Sequence, residues 1–401
     1  MKNAALIFIT VLLVSCNPSP KKNTVKYAEG SFGYDLDFLK KYDSIIILGS
    51  GMSQVIVSPK YQAKVFTSTA TGLSGNSFGW IHYSAFDSPL DLHMNAYGGE
   101  NRLWLGPEGG RFSLFFSKGA KMEFTNWKTP AAFDNEPWIL KEKLANKVTF
   151  EKVMQLTNYA GTPLSILIKR TVSILDDSQI NALLNLTADT SINAVGYQTE
   201  NNLENTGTNE WTAKTGMPCI WILDMFNPSD NTTVVIPYKE IANTKPATTD
   251  YFGEIAANRI KLENGTLFFR ADGKRRGKLG IHPDAAKNIA GSYNADKKIL
   301  TITLFDIDNA AQYLNQEWNS SKPPFSGDAV NAYNDGPLAD GQQMGPFYEI
   351  ESVSPAAFLK PTESLNHNHA VFHFTGSEKG LDAIAQKALG VSLSQIEKAL
   401  K

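Results

Sequence analysis

An all-β fold, a large antiparallel β-sandwich finished by short C-terminal helices, is predicted for this 401-residue sequence from three observations. Short runs rich in β-branched and aromatic residues succeed one another from Ser44 onward, divided by Gly, Pro, Asn and Asp. Apolar residues recur at clear helical spacing only near the end of the chain. No repeat of fixed length recurs, which argues against a propeller or a solenoid.

The chain opens on a secretion signal: Lys2, an apolar run from Ala4 to Val14, then Leu-Val-Ser-Cys ending at Cys16. The run is too short to span a bilayer comfortably, and the small residue before a cysteine resembles a bacterial lipoprotein signal, in which Cys16 takes the lipid. Residues 17–30 read as a tether, since the NPSPKKN stretch at 17–23 cannot build a core. Residues 31–401 are expected to form one domain, because no Pro- or Gly-rich linker interrupts them. The expected location is the cell envelope, the protein being exported and lipid-anchored to an outer membrane, facing periplasm or cell surface.

Within the domain a short helix is expected over Tyr34 to Lys41, with strands following at Ser44–Leu48, Gln54–Ser58 and Lys64–Ser68. Further strands are expected at Phe112–Phe116, Val148–Thr157, Leu164–Leu175, Ala194–Thr199, Cys219–Met225 and Thr232–Pro237. The series ends with Thr266–Ala271, Lys278–His282, Ile299–Asp306, Phe347–Ser352 and Ala370–Thr375. In Leu164–Leu175 the period of two puts Arg170 on the face of Ile166, Ile168, Val172 and Ile174, aimed into a cleft or paired inside. Two terminal helices flank Gly390, carrying Leu381, Ile384, Ala385, Ala388 and Leu389 before it and Leu393, Ile396 and Leu400 after it.

Charge and cysteine content narrow the function classes. With 38 basic and 40 acidic residues, net charge −2, no field attracts nucleic acid. Aromatics, at 11%, are plentiful enough to build stacking surfaces. With Cys16 lipidated, Cys219 stands alone as a buried thiol, and no intrachain disulfide is expected.

The densest chemistry lies in Asn95 to Gly110, NAYGGENRLWLGPEGG, where five glycines surround Glu100, Arg102, Trp104 and Glu108. Those groups suit a neutral polyol, through hydrogen bonds and a stacking face, so a sugar is the natural ligand. Turns between strands, with Glu100 and Arg102 merely paired, explain the same residues equally well. The stretch lacks the ending and the following helix of a phosphate loop.

The segment from Glu349 to Phe374, EIESVSPAAFLKPTESLNHNHAVFHF, resembles the closing part of the galactose mutarotase-like (aldose 1-epimerase) superfamily, and Gln54–Thr71 resembles its opening hairpin. Together with GGENRLWLGPEGG and GDAVNAYNDGP, the closing segment resembles an uncharacterised family of secreted lipoproteins of that superfamily. The resemblance implies a supersandwich with a sugar site on a concave sheet face, a glutamate base and a histidine acid, and no cofactor. Matching the glutamate before the proline puts the base at Glu351, with Glu349 on the same strand face as its rival. The histidine motif has no match here. His282, after a strand and a basic run, is preferred over His82 and His93 as the acid.

Two further clusters bear on binding. His367, His369 and His373 alternate along one strand and share a face, read as half-exposed and polar rather than as a metal site. Asp328, Asn331, Asn334 and Asp335 offer hard oxygens for calcium or sugar hydroxyls; Asn334 and Asp335 are assigned to ligand binding and no metal is assigned. The leading reading is a lipid-anchored carbohydrate-binding protein with Glu351 and His282 as acid–base pair and Glu100, Arg102, Trp104, Glu108, Asn334, Asp335 and Glu349 as ligand contacts. Two alternatives stay open: a non-catalytic glycan-binding or assembly lipoprotein, and a polysaccharide lyase or hydrolase on the same fold.

Overall fold

Two antiparallel layers pack face to face in the structure, a computed structural model that describes residues 27–187, 189–338 and 341–401. The signal segment and Cys16 lie outside the described residues. Numbered in chain order, the strands of the larger layer run across the sheet as β12 (Ile260–Glu263), β13 (Thr266–Arg270), β10 (Thr232–Pro237), β15 (Ile289–Asn294) and β16 (Ile299–Phe305). They continue as β19 (Ser364–Gly376), β8 (Ile192–Asn205), β7 (Pro163–Leu175), β6 (Lys147–Thr157) and β5 (Ile139–Lys143). The facing layer holds a six-stranded sheet in the order β11 (Ala247–Thr248), β14 (Gly277–Ile281), β17 (Val330–Asn334), β18 (Tyr348–Val353), β9 (Cys219–Phe226) and β4 (Arg102–Gly106). Beside it sits the small sheet β1 (Ile46–Ser50), β2 (Ser53–Ser58) and β3 (Lys64–Thr69), tied on by the bridge between Val65 and Asn101.

Alternation along the strands explains the layering. On β19, Ala370, Phe372 and Phe374 face helices, while His369, Val371 and His373 turn toward the second layer. Two of those helices are α3 (Glu378–Leu389) and α4 (Leu393–Lys398), which lay Leu381, Ile384, Leu389 and Ile396 on the outside of the large sheet. Ser377 and Ser392 cap their N-termini and Gly390, at φ +75°, ends the first. The sequence does not reveal α2 (Asp177–Leu184), although Asp176 and Gln179 form a capping box there, because Ile180 and Leu184 are its buried residues and leave a single i, i+4 pair to read. The expected first helix is present as α1 (Phe32–Leu39).

The strand expected at Phe112–Phe116 is absent. Gly110 turns the chain, the Ser113 hydroxyl binds the loop backbone, and Phe112, Phe115 and Phe116 plug the layer as buried loop rings. The edge strand β5 is exposed along its whole length, and β15 and β17 carry small or polar residues such as Gly291 and Asn331; none of the three stands out in the sequence.

A polar seam runs through the otherwise apolar core. Arg170 is fully buried and donates to the Asn201 side chain at 2.8 Å, to the Ala63 carbonyl at 3.1 Å and to the Asn101 side chain. Asn101 in turn donates to Asp224 at 2.6 Å, and His369 Nε2 lies 2.7 Å from the other oxygen of that carboxylate. The three histidines expected on a half-exposed face are therefore buried. His367 and His369 share the Ser352 hydroxyl at 2.8 Å each, and His373 sits between Glu100 and Thr301. Burial, with His369 alongside, pulls His367 down to about 3, so it is neutral in the fold. Among the described residues no group of three or more His, Cys, Asp or Glu is arranged to hold a metal.

Candidate functional site

The outer face of the six-stranded sheet, turned away from the large sheet, carries the candidate site. Register assembles it: Arg102 lies opposite Leu223 and Trp104 opposite Trp221 on β4 and β9, while Glu351 pairs with Leu223 and Glu349 with Met225 on β18 and β9. Across β17 and β14, Tyr333 stands opposite both Glu349 and Lys278. A period of two puts all of these side chains on one face. Loops then wall the face with rings, bringing Phe124, Trp127, Phe252, Trp318 and Phe347 around a cleft whose charged members are Arg102, Glu108, Arg276, Lys278 and Glu349.

The glycine-rich stretch 95–110 builds one wall. Gly98 adopts φ +81°, and a Cβ there would stand 2.3 Å from the Trp80 carbonyl; Gly99 N–H donates to that same carbonyl at 2.8 Å. A Cβ on Gly109 would meet the Glu317 carbonyl at 2.2 Å. These glycines therefore serve close backbone approach, and the second brings Trp318 to the cleft. Asn95 anchors the start of the stretch to Asp134 through its backbone and side-chain N–H groups.

Charges on the floor are paired and desolvated. Arg102 donates to Glu349 at 2.8 Å and lies over the Trp104 ring at 4.2 Å. Lys278 donates to Glu351 at 2.9 Å, Trp221 donates its indole N–H to the same oxygen at 2.9 Å, and the ammonium stands 4.5 Å from the Trp221 ring. The other Glu351 oxygen and Arg102 Nε are buried without a partner among the described residues. Burial raises Glu349 to about 7; Arg102 pulls it down less than burial lifts it, and the charge of Glu351 adds to the rise. Glu108 is also raised, by burial against the opposing pull of Lys278. Such a face can stack a sugar ring, bond its hydroxyls and offer, in Glu349, a carboxyl group that holds a proton near neutrality.

Of the residues singled out in the sequence, the structure brings Arg102, Trp104, Glu108, Glu349 and Glu351 together. Glu351 is fully buried beneath Lys278 and Trp221. His282 follows the end of β14 at Ile281 and is not among the residues lining the cleft. It stands half-exposed with Nδ1 2.9 Å from Asp328, whose hydrogen bond raises its proton affinity, and Tyr251 binds the same carboxylate at 2.6 Å. Glu100 is in the seam between the layers, accepting from Ser68 and facing His373. Asn334 accepts from the Gly273 N–H, while Asp335 accepts from the Tyr333 hydroxyl and Gly345 N–H, so both brace loops. His82 stacks on Trp80 and His93 on Phe124, outside the floor. Cys219 is a buried free thiol pushed up to about 12 by burial.

Sequence reasoning missed Trp221, Lys278, Tyr333, Trp318 and Phe252. Trp221 and Tyr333 sit in strands buried on both faces, whose runs show no alternation, and the loop rings carry no periodic signal at all. Ser352, His369 and Asp224 stand in the order of a nucleophile, base and orienting carboxylate, yet all three are sealed between the sheets, where no substrate reaches. Another hollow lies beside α2 and α3, where Ser, Asp, Asn and Thr make up nearly half of the lining and Phe374 is the aromatic residue among the rest.

Among solved structures, the Slr1438 protein from Synechocystis sp. PCC 6803 is similar in fold, with a TM-score of 0.50 at 12% identity, covering 84% of this chain and 96% of that one. A galactose mutarotase-like protein from Lactobacillus casei ATCC 334 gives 0.46 at 10% identity, over 82% of this chain and 100% of the other. No curated protein sequence matches. The model of a family of unknown function, DUF6786, matches residues 30–400, and the chain belongs to that family.

Proposed function

We propose that this chain is an exported, lipid-anchored carbohydrate-binding protein whose ligand occupies the aromatic cleft on the six-stranded sheet. One observation carries the reading: four tryptophans, Trp104, Trp127, Trp221 and Trp318, converge with hydrogen-bonding charged groups on a single face. The sequence resemblance to the mutarotase-like superfamily points the same way. Trp104, Trp127 and Trp221 are buried as the base of the cleft, the more open rings of Trp318 and Phe124 take the sugar's C–H surface, and Glu108 and Glu349 meet its hydroxyls.

A second reading, epimerase-like chemistry at the anomeric carbon, is favoured by the raised proton affinity of Glu349 and Glu108. Ring opening needs one group to take the proton of the C1 hydroxyl and another to protonate the ring oxygen. In this reading Glu349 is one of the two, and Glu351, sealed below, acts through its charge on Glu349.

Saturation-transfer NMR of residues 24–401 with mono- and oligosaccharides, recording anomeric exchange in the same samples, tests both. Binding that falls at least about tenfold in Trp318→Ala supports the site, a loss of about 1.4 kcal/mol. Accelerated exchange that vanishes in Glu349→Gln makes it an epimerase, exchange without acceleration leaves a binding protein, and absence of binding refutes the carbohydrate reading. Anchoring through Cys16 is tested by fractionation, with Cys16→Ser expected in the soluble fraction.

A further inference from the structure

We propose that the saccharide this cleft takes is an acidic one, a pyranose whose anionic group is held at the rim by the guanidinium of Arg276. The inference rests on the carbohydrate reading and narrows its ligand class.

The charges of the cleft are unevenly committed. Arg102 is bound to Glu349 and Lys278 to Glu351. Of the basic run leading into β14, Lys274 is paired with Asp230 at 2.6 Å, and the nearby Arg259 forms a two-toothed pair with Asp272. Arg276 differs. It is exposed, it lines the cleft, and among the described residues no carboxylate approaches it within ion-pair distance. It is nonetheless held in place, because its guanidinium lies 3.7 Å from the centre of the Phe252 ring, which meets the ring of Tyr333 edge-on at 6.2 Å.

A guanidinium laid flat on a ring keeps its N–H edges free and already oriented, and that planar fork fits the two oxygens of a carboxylate or the oxygens of a sulfate or phosphate ester. Within the cleft the nearby carboxyl groups do not cancel it. Glu349 and Glu351 face their own cations, and burial favours the neutral form of Glu108. Arg102 Nε, buried and without a hydrogen-bond partner among the described residues, leaves a further donor uncommitted on the floor. A sugar ring resting on Trp318 with an oxyanion toward Phe252 satisfies a charge that has no ion-pair partner among the described residues; a neutral sugar leaves it unpaired.

Isothermal titration with matched pairs tests this: glucose against glucuronate, galactose against galacturonate, and glucose against its 6-sulfate and 6-phosphate. The acidic member of at least one pair is expected to bind at least about tenfold tighter at low salt, with the advantage shrinking as salt rises. Which anion wins separates a carboxylate ligand from an ester. Arg276→Gln is expected to abolish the preference, lowering affinity for the acidic member at least about tenfold more than for its neutral partner, and Arg276→Lys, which keeps charge without the fork, to retain part of it. Equal binding of neutral and acidic sugars, or a preference unchanged in Arg276→Gln, overturns the proposal and leaves the carbohydrate site standing. Failure of every sugar to bind removes both.

Discussion

Lys278 and Glu351 show how much of the site's chemistry is also structure. Each is nearly inaccessible, and removing one partner strands the other as a buried charge. Lys278→Met is expected to lower stability by about 3–5 kcal/mol in urea denaturation, and adding Glu351→Gln to restore at least half of the loss, since the amide oxygen still accepts from Trp221. His367 makes a second prediction, in pH. Its folded value lies near 3 and its ordinary value at 6.5, so below pH 6.5 the unfolded chain takes up a proton that the folded chain refuses. Wild type therefore loses stability relative to His367→Gln as pH falls through that window. The difference in unfolding free energy is expected to shrink by about 2 kcal/mol between pH 8 and pH 5, and urea titrations at both pH values measure it. Glu349 has the opposite sign: its raised value makes it a source of stability that is lost as pH rises from 4.5 through about 7. Comparing a single variant with wild type cancels that background.

Strands and turns carry the next scale. The glycine-rich stretch reads in the sequence as a binding loop, and in the structure its glycines admit neighbouring backbone while β4 displays Arg102 and Trp104. Gly98→Ala meets both a positive φ and the Trp80 carbonyl, so a loss of about 2–4 kcal/mol is expected in thermal melts. Gly119→Ala, at φ +78° but in open space, is expected to cost only about 1 kcal/mol. Most long strands were legible, because runs such as Thr232–Pro237 and Val148–Thr157 have strong β composition between turn residues. The site was legible only in part. Glu349 and Glu351 are two apart on one strand, whereas joining them to Lys278 and Trp221 requires the pairing order β14-β17-β18-β9, which no local pattern contains. The histidine strand misled in one respect: alternation gives a shared face but not which layer covers it.

At the scale of the whole molecule, one apolar cluster links residues of all three sheets, from Val55 and Val65 through Leu105 and Ile222 to Ile168 and Val371. Because this cluster crosses all three sheets, residues 24–401 are expected to unfold in a single calorimetric transition. Two resolved transitions would show separate domains. The polar seam inside that core has a further consequence. Apolar burial is itself non-directional and specifies lateral position through shape alone. Here Arg170 meets Asn101, His369 meets Asp224, His367 and His369 meet Ser352, and His373 meets Glu100, each a directional contact from one layer to the other. They act as locating pins. The six-stranded sheet is indexed from beneath to one lateral position, so a substitution in the loops above the cleft is expected to leave the floor they cover in place.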